Sequence, residues 1–60
     1  MLFNVGKKYI ISLEIGGKTL TYTCEIVSED ENFVCFIDKF GEELNFNKKL
    51  IISYSEEKND

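Results

Sequence analysis

Sixty residues, 43% of them hydrophobic, with eleven acidic side chains against seven lysines and a net charge of −4, bound this chain to one small domain. Five Phe, three Tyr and seven Ile set it apart from disordered compositions, and the acidic balance argues against non-specific nucleic-acid binding, which is driven by phosphate neutralisation. No stretch approaches the ~20 apolar residues of a membrane-spanning helix, and no segment forms the apolar core of a signal peptide.

Apolar residues at every second position predict five short strands. Residues 1–7 read as an N-terminal arm with a turn at Gly6. The first strand, residues 9–15, carries Tyr9, Ile11, Leu13 and Ile15 on one face. Gly16-Gly17 follows, and two adjacent glycines suit the positive φ values of a type I′ hairpin. The second strand, residues 18–28, alternates Leu20, Tyr22, Cys24 and Ile26 with Thr19, Thr21, Thr23 and Glu25.

A polar loop, Ser28-Glu29-Asp30-Glu31-Asn32, leads to a third strand over residues 33–37. Asp38-Lys39-Phe40-Gly41-Glu42 makes a turn, with Gly41 as the expected positive-φ residue, before the fourth strand, residues 43–46. Asn47-Lys48-Lys49 puts three residues between Phe46 and Leu50, which a simple two-residue hairpin does not fit, and predicts a 3₁₀ turn. That turn sends the fifth strand, residues 50–54, to the open edge and closes it. Residues 55–60 read as a frayed acidic tail.

Register tests this arrangement, because a one-residue slip exchanges the two faces of a strand. Centring the first hairpin on Gly16-Gly17 sets Leu13 opposite Leu20, Ile11 opposite Tyr22 and Tyr9 opposite Cys24. Centring the third on Phe40-Gly41 sets Ile37 opposite Leu44 and Cys35 opposite Phe46. A second hairpin centred on Glu29-Asp30 or Asp30-Glu31 keeps Ile26 on the face of Phe33 and Cys35. The expected fold class is all-β: a small five-stranded antiparallel barrel with a 3₁₀ turn before its last strand, forming one domain over residues 1–60.

The strand order, the long second strand and the run Asn47-Lys48-Lys49-Leu50-Ile51-Ile52-Ser53 resemble the small barrels of the SH3-like and Sm-like group. The resemblance covers roughly residues 8–56. Ser28-Glu29-Asp30-Glu31-Asn32-Phe33-Val34 is loosely similar to the Sm family's Asp-x-x-x-Asn segment before an apolar strand. The resemblance implies that Asn32 holds a base of single-stranded RNA, with Lys48 as a partner from the later loop. Asn47-Lys48-Lys49 stands where that family carries Arg-Gly.

The same register leaves Ile10, Val27, Val34, Phe36 and Ile51 pointing outward. An exposed patch around Phe36 and Val34 would mark a contact with another chain; burial under the arm, through Leu2, Phe3 and Val5, is the alternative. Phe40 at a turn tip is a further candidate interface residue. Lys48 and Lys49, with Asn32 and aromatic stacking, are the candidates for a nucleic-acid surface.

Cys24 and Cys35 fall on one inward face of adjacent strands, as buried small apolar residues or as a disulfide. With no His and two thiols, no metal site is expected, and no cofactor. A barrel this small offers little room for a substrate pocket of roughly 300 Å³. Catalysis and a small-molecule substrate are therefore not expected. The chain reads as a cytoplasmic binding or assembly module: protein–protein interaction with self-association first, single-stranded nucleic acid second, a structural accessory or viral role third. The absence of Ala, Arg, Gln, His, Pro and Trp fits an AT-rich genome and carries no functional meaning.

Overall fold

In the computed structural model, which describes residues 1–58, the chain forms one antiparallel sheet. Its strands are β1 (Lys8–Ile15), β2 (Lys18–Glu29), β3 (Phe33–Asp38), β4 (Glu43–Asn47) and β5 (Ile51–Glu56), with a 3₁₀ turn, η1 (Lys48–Leu50), before β5. The order across the sheet is β4-β3-β2-β1-β5. The sheet is all antiparallel and not closed: β4 and β5 are its two outer strands.

The first hairpin follows the predicted register, with Leu13 opposite Leu20, Ile11 opposite Tyr22 and Tyr9 opposite Cys24. Gly16 and Gly17 have φ of 58° and 81°, the pair of positive values that a type I′ turn demands. On the wet face Ser12 Oγ and Thr21 Oγ1 share a hydrogen bond of 2.9 Å.

One cluster holds the core: Phe3, Tyr9, Ile11, Leu13, Cys24, Ile26, Val34 and Phe36. Leu44 and Phe46 from β4 and Ile51 from β5 pack against the same cluster. Because both outer strands touch one core, the sheet curls around it. Phe36 sits between the rings of Tyr22 and Phe46, at 5.3 and 5.8 Å.

The predicted faces of β3 are inverted. Phe36 and Val34 are fully buried, so neither forms the exposed patch expected of them; Phe33 and Ile37 point outward instead. A bulge in β2 causes this. In β2, Ile26 lies opposite Phe36 but Ser28 lies opposite Cys35, so Val27 is an extra residue, a β-bulge. The loop beyond is centred on Glu31-Asn32, with Asp30 Oδ1 accepting from the amides of Asn32 and Phe33 at 2.8 and 2.7 Å. Then the β3–β4 connection has three residues, not two. Asp38 Oδ1 accepts from the amides of Phe40 and Glu42 at 2.9 Å each, and the Gly41 amide donates to the Asp38 carbonyl at 3.0 Å. Gly41 has φ of 84°, the left-handed position that ends such a loop.

Leu44 and Phe46 point inward as predicted. They lie opposite Phe36 and Val34, not Ile37 and Cys35. A second bulge, in β5, places Ile51 opposite Leu13 and Ser53 opposite Ser12. Ile51 is therefore packed on the core, not outward, and Ile52 is exposed. Ile10 and Val27 are outward as predicted.

The predicted frayed tail is partly strand: Ser55 and Glu56 belong to β5, and the Glu57 amide donates to the Lys8 carbonyl at 2.8 Å. Residues 59–60 of that tail lie outside the described residues.

Candidate functional site

Three parts of the surface carry candidate chemistry: the cradle that holds the arm, the loop side with Asn32 and η1, and the two outer strands.

The cradle begins with the bulge. Ile26 points inward, Val27 is the extra residue, and Glu29 is thereby turned inward opposite Val34. Its side chain is 1% exposed. A buried carboxylate is costly unless its oxygens are satisfied, and here they are. Oε2 accepts from the Leu2 amide at 2.9 Å and from Lys48 Nζ at 2.7 Å, and Oε1 accepts from the Phe3 amide at 3.0 Å. The next amide, that of Asn4, donates to Tyr9 Oη at 2.9 Å. Three consecutive backbone N–H groups thus end on side-chain acceptors of β1 and β2.

Between them Phe3 enters the core. Its ring meets Tyr9 edge-on at 5.0 Å and tilts against Tyr54 at 5.0 Å. Phe3 fills the end of the core and does not cover the outward face, while Leu2 and Val5 stay largely exposed. The arm rejoins the sheet through Gly6, whose amide donates to the Ile26 carbonyl at 2.9 Å, and Lys7, whose carbonyl accepts from the Ile26 amide at 3.1 Å. Burial pushes the Glu29 carboxyl up, but Lys48 and the two amides outweigh it and hold the group below the usual carboxylate range. Beside the cradle a shallow groove of about 360 Å³ runs along Leu2, Lys48 and residues 51–54.

Asn32 and Lys48 lie side by side: the Lys48 amide donates to the Asn32 carbonyl at 2.8 Å. The Lys48 ammonium, however, is turned inward onto Glu29 with its side chain 15% exposed. It offers no free charge to a phosphate. Lys49 is exposed; its amide donates to Asn47 Oδ1 at 2.9 Å, the cap that starts η1. Asp30 beside Asn32 is held below the usual carboxylate range by the amides of Phe33 and Asn32, so this loop presents negative charge.

Phe40 stands 83% exposed at the tip of the β3–β4 turn, with Lys39 Nζ 5.4 Å from its ring centre. The cysteines do not share a face. Cys24 is buried, its Sγ directed at the Tyr9 carbonyl at 3.6 Å, whereas Cys35 is outward and half-buried; both are free thiols. The inversion of β3 separates them and removes the disulfide alternative. Burial, and then the charge of Asp38, push the Cys24 thiol up to about 11.

Sequence reasoning missed Glu29, Tyr9 and Tyr54 as a group. Strict alternation from Ile26 sends Glu29 outward, and nothing in the residue types announces a bulge at Val27. Among the described residues, no cluster of His, Cys, Asp or Glu suits a metal ion, and no helix is long and apolar enough to cross a membrane. No family model, curated protein or solved structure matches the chain.

Proposed function

We propose that this domain is a protein-interaction module of the SH3-like/Sm-like small-barrel kind, which self-associates through its outer strands. The observation that carries the reading is that β4 and β5 each pair on one side only. An outer strand presents a row of backbone donors and acceptors to any strand laid beside it. The side chains there are unfinished in the same sense. Leu44 and Phe46 of β4 are half-buried, while Ile52 and Tyr54 of β5 are 55% and 44% exposed. A strand added to either edge covers them, and a domain of this size gains stability from such burial.

Sedimentation velocity across a wide concentration range tests the reading. The expected result is a shift to a dimer or larger ring as concentration rises. Lysine at an edge position, in Asn45→Lys or Ile52→Lys, is expected to abolish the shift. A wild-type chain that stays monomeric at every concentration rules self-association out.

A further inference from the structure

We infer that the cradle around Glu29 is a peptide-recognition site, occupied in this chain by its own residues 2–4, which accepts an extended aromatic-bearing segment of a partner protein in their place. The inference does not depend on pairing of the outer strands.

The geometry reads a peptide in two ways. First, it reads backbone: Glu29 Oε2, Glu29 Oε1 and Tyr9 Oη take the amides of Leu2, Phe3 and Asn4 in succession. Those acceptors sit on strands, so they stay in place whichever segment supplies the donors. Any extended segment without proline at these positions can supply them. Second, it reads one side chain: the slot against Tyr9 and Tyr54 holds an aromatic ring in edge-on and tilted contacts. The amides of residues 2 and 3 are bound by side chains alone, so that part of the arm is docked on the sheet without being a strand of it.

The occupant follows from what the arm leaves unfilled. Leu2 remains 45% exposed, and the groove along residues 51–54 is open beside it. A foreign segment that places its aromatic in the slot and continues into the groove covers Ile52 and Tyr54 as well, which the arm does not. It thereby gains apolar burial over the segment it displaces. The occupant is thus an uncharged extended stretch, an aromatic residue flanked by an apolar one, because the charges at the floor, Glu29 and Lys48, already satisfy each other.

The test uses the full chain carrying Phe3→Ala, which removes the ring that anchors the arm in place. The probe is a capped peptide of the sequence of residues 1–6, and the readouts are the unfolding midpoint and the NMR signals of Tyr9 and Tyr54. The peptide is expected to raise the midpoint and shift both tyrosines in the variant. It binds the wild-type chain far more weakly, because there the arm competes at an effective concentration on the order of millimolar. A peptide N-methylated at its phenylalanine amide, which removes the donor to Glu29 Oε1, is expected to bind about tenfold more weakly, as fits the loss of one charge-assisted hydrogen bond. The unmethylated peptide with alanine in place of phenylalanine is expected not to bind.

If Phe3→Ala does not fold alone, recovery of the folded spectrum on adding peptide supports the site, and no recovery overturns it. Absence of binding to a folded variant also overturns it, as does binding indifferent to the N-methyl group or to the aromatic. If wild-type arms prove to cross between copies, the occupant is a second chain and the assignment to a foreign partner fails. Asn45→Lys, on the opposite outer strand, is expected to leave peptide affinity unchanged, so this site and edge pairing fail separately.

Discussion

Glu29→Gln keeps the side chain's length and removes its charge. The carboxylate accepts three donors, the amides of Leu2 and Phe3 and the ammonium of Lys48. The glutamine amide keeps one acceptor oxygen and turns an NH₂ group toward a remaining donor. A hydrogen bond to a charged partner contributes roughly 1.5–3 kcal/mol. Lys48 and the Leu2 bond are partly open to solvent, so the low end applies, and the expected loss is about 3 kcal/mol.

That is most of the roughly 3–5 kcal/mol that a core of this size supplies. At about 4–8 °C per kcal/mol for a small domain, the midpoint is expected to fall by at least about 12 °C in thermal unfolding followed by circular dichroism at neutral pH. The folded-state pKa of Glu29 is lowered, so its stabilisation is complete above the unfolded carboxylate value of about 4.3. It is lost as pH falls through the folded value. Wild type is therefore expected to lose stability in that acid range while the variant changes less there, and the two curves converge at low pH. A variant within about 0.5 kcal/mol of wild type, or one with the same acid slope, refutes the account of the cradle.

The inversion of β3 makes opposite demands on two phenylalanines: Phe36→Ala is expected to cost about 3–5 kcal/mol and leave little folded protein, whereas Phe40→Ala stays within about 0.5 kcal/mol, both measured by urea unfolding. A maleimide reagent at neutral pH is expected to label Cys35 and to spare Cys24 until the chain unfolds, since Cys24 is buried with its thiol pushed up to about 11; equal labelling of both in the native state contradicts the assigned faces. A labelled single-stranded oligonucleotide is expected not to bind even at low salt, where attraction to Lys49 is least screened, because Glu29 neutralises Lys48; if binding is seen, Lys48→Met separates a lysine-dependent site from another surface.

The first hairpin was legible to the residue because Gly16-Gly17 admits one tight turn, and that turn fixes the register of everything beside it. The 3₁₀ turn was legible within a residue, since Asn47 is a capping side chain placed where no two-residue hairpin fits. β3 was not legible by alternation alone. Its faces depend on an unpaired residue in the preceding strand, and Val27 is chemically indistinguishable from a paired one. The β3–β4 turn over residues 38–42 was legible, with Gly41 as its positive-φ residue; centring it on Phe40-Gly41 misplaced only the pairing beyond it. The cradle was illegible because it is tertiary. Its acceptors and donors lie 26 and 27 residues apart in the chain, and Glu29 reads as one more loop acid until the bulge turns it in.

Val27 acts on side chains as an inserted base acts on a reading frame. Deleting Val27 would leave Ile26 opposite Phe36 and Ser28 opposite Cys35 in an uninterrupted ladder, with Glu29 still opposite Val34. Removing one residue from the β3–β4 connection would likewise keep Leu44 opposite Phe36 and Phe46 opposite Val34. The inner faces are fixed by which residues pair, so the number of residues between the pairs can change without turning Glu29 away from the arm it anchors.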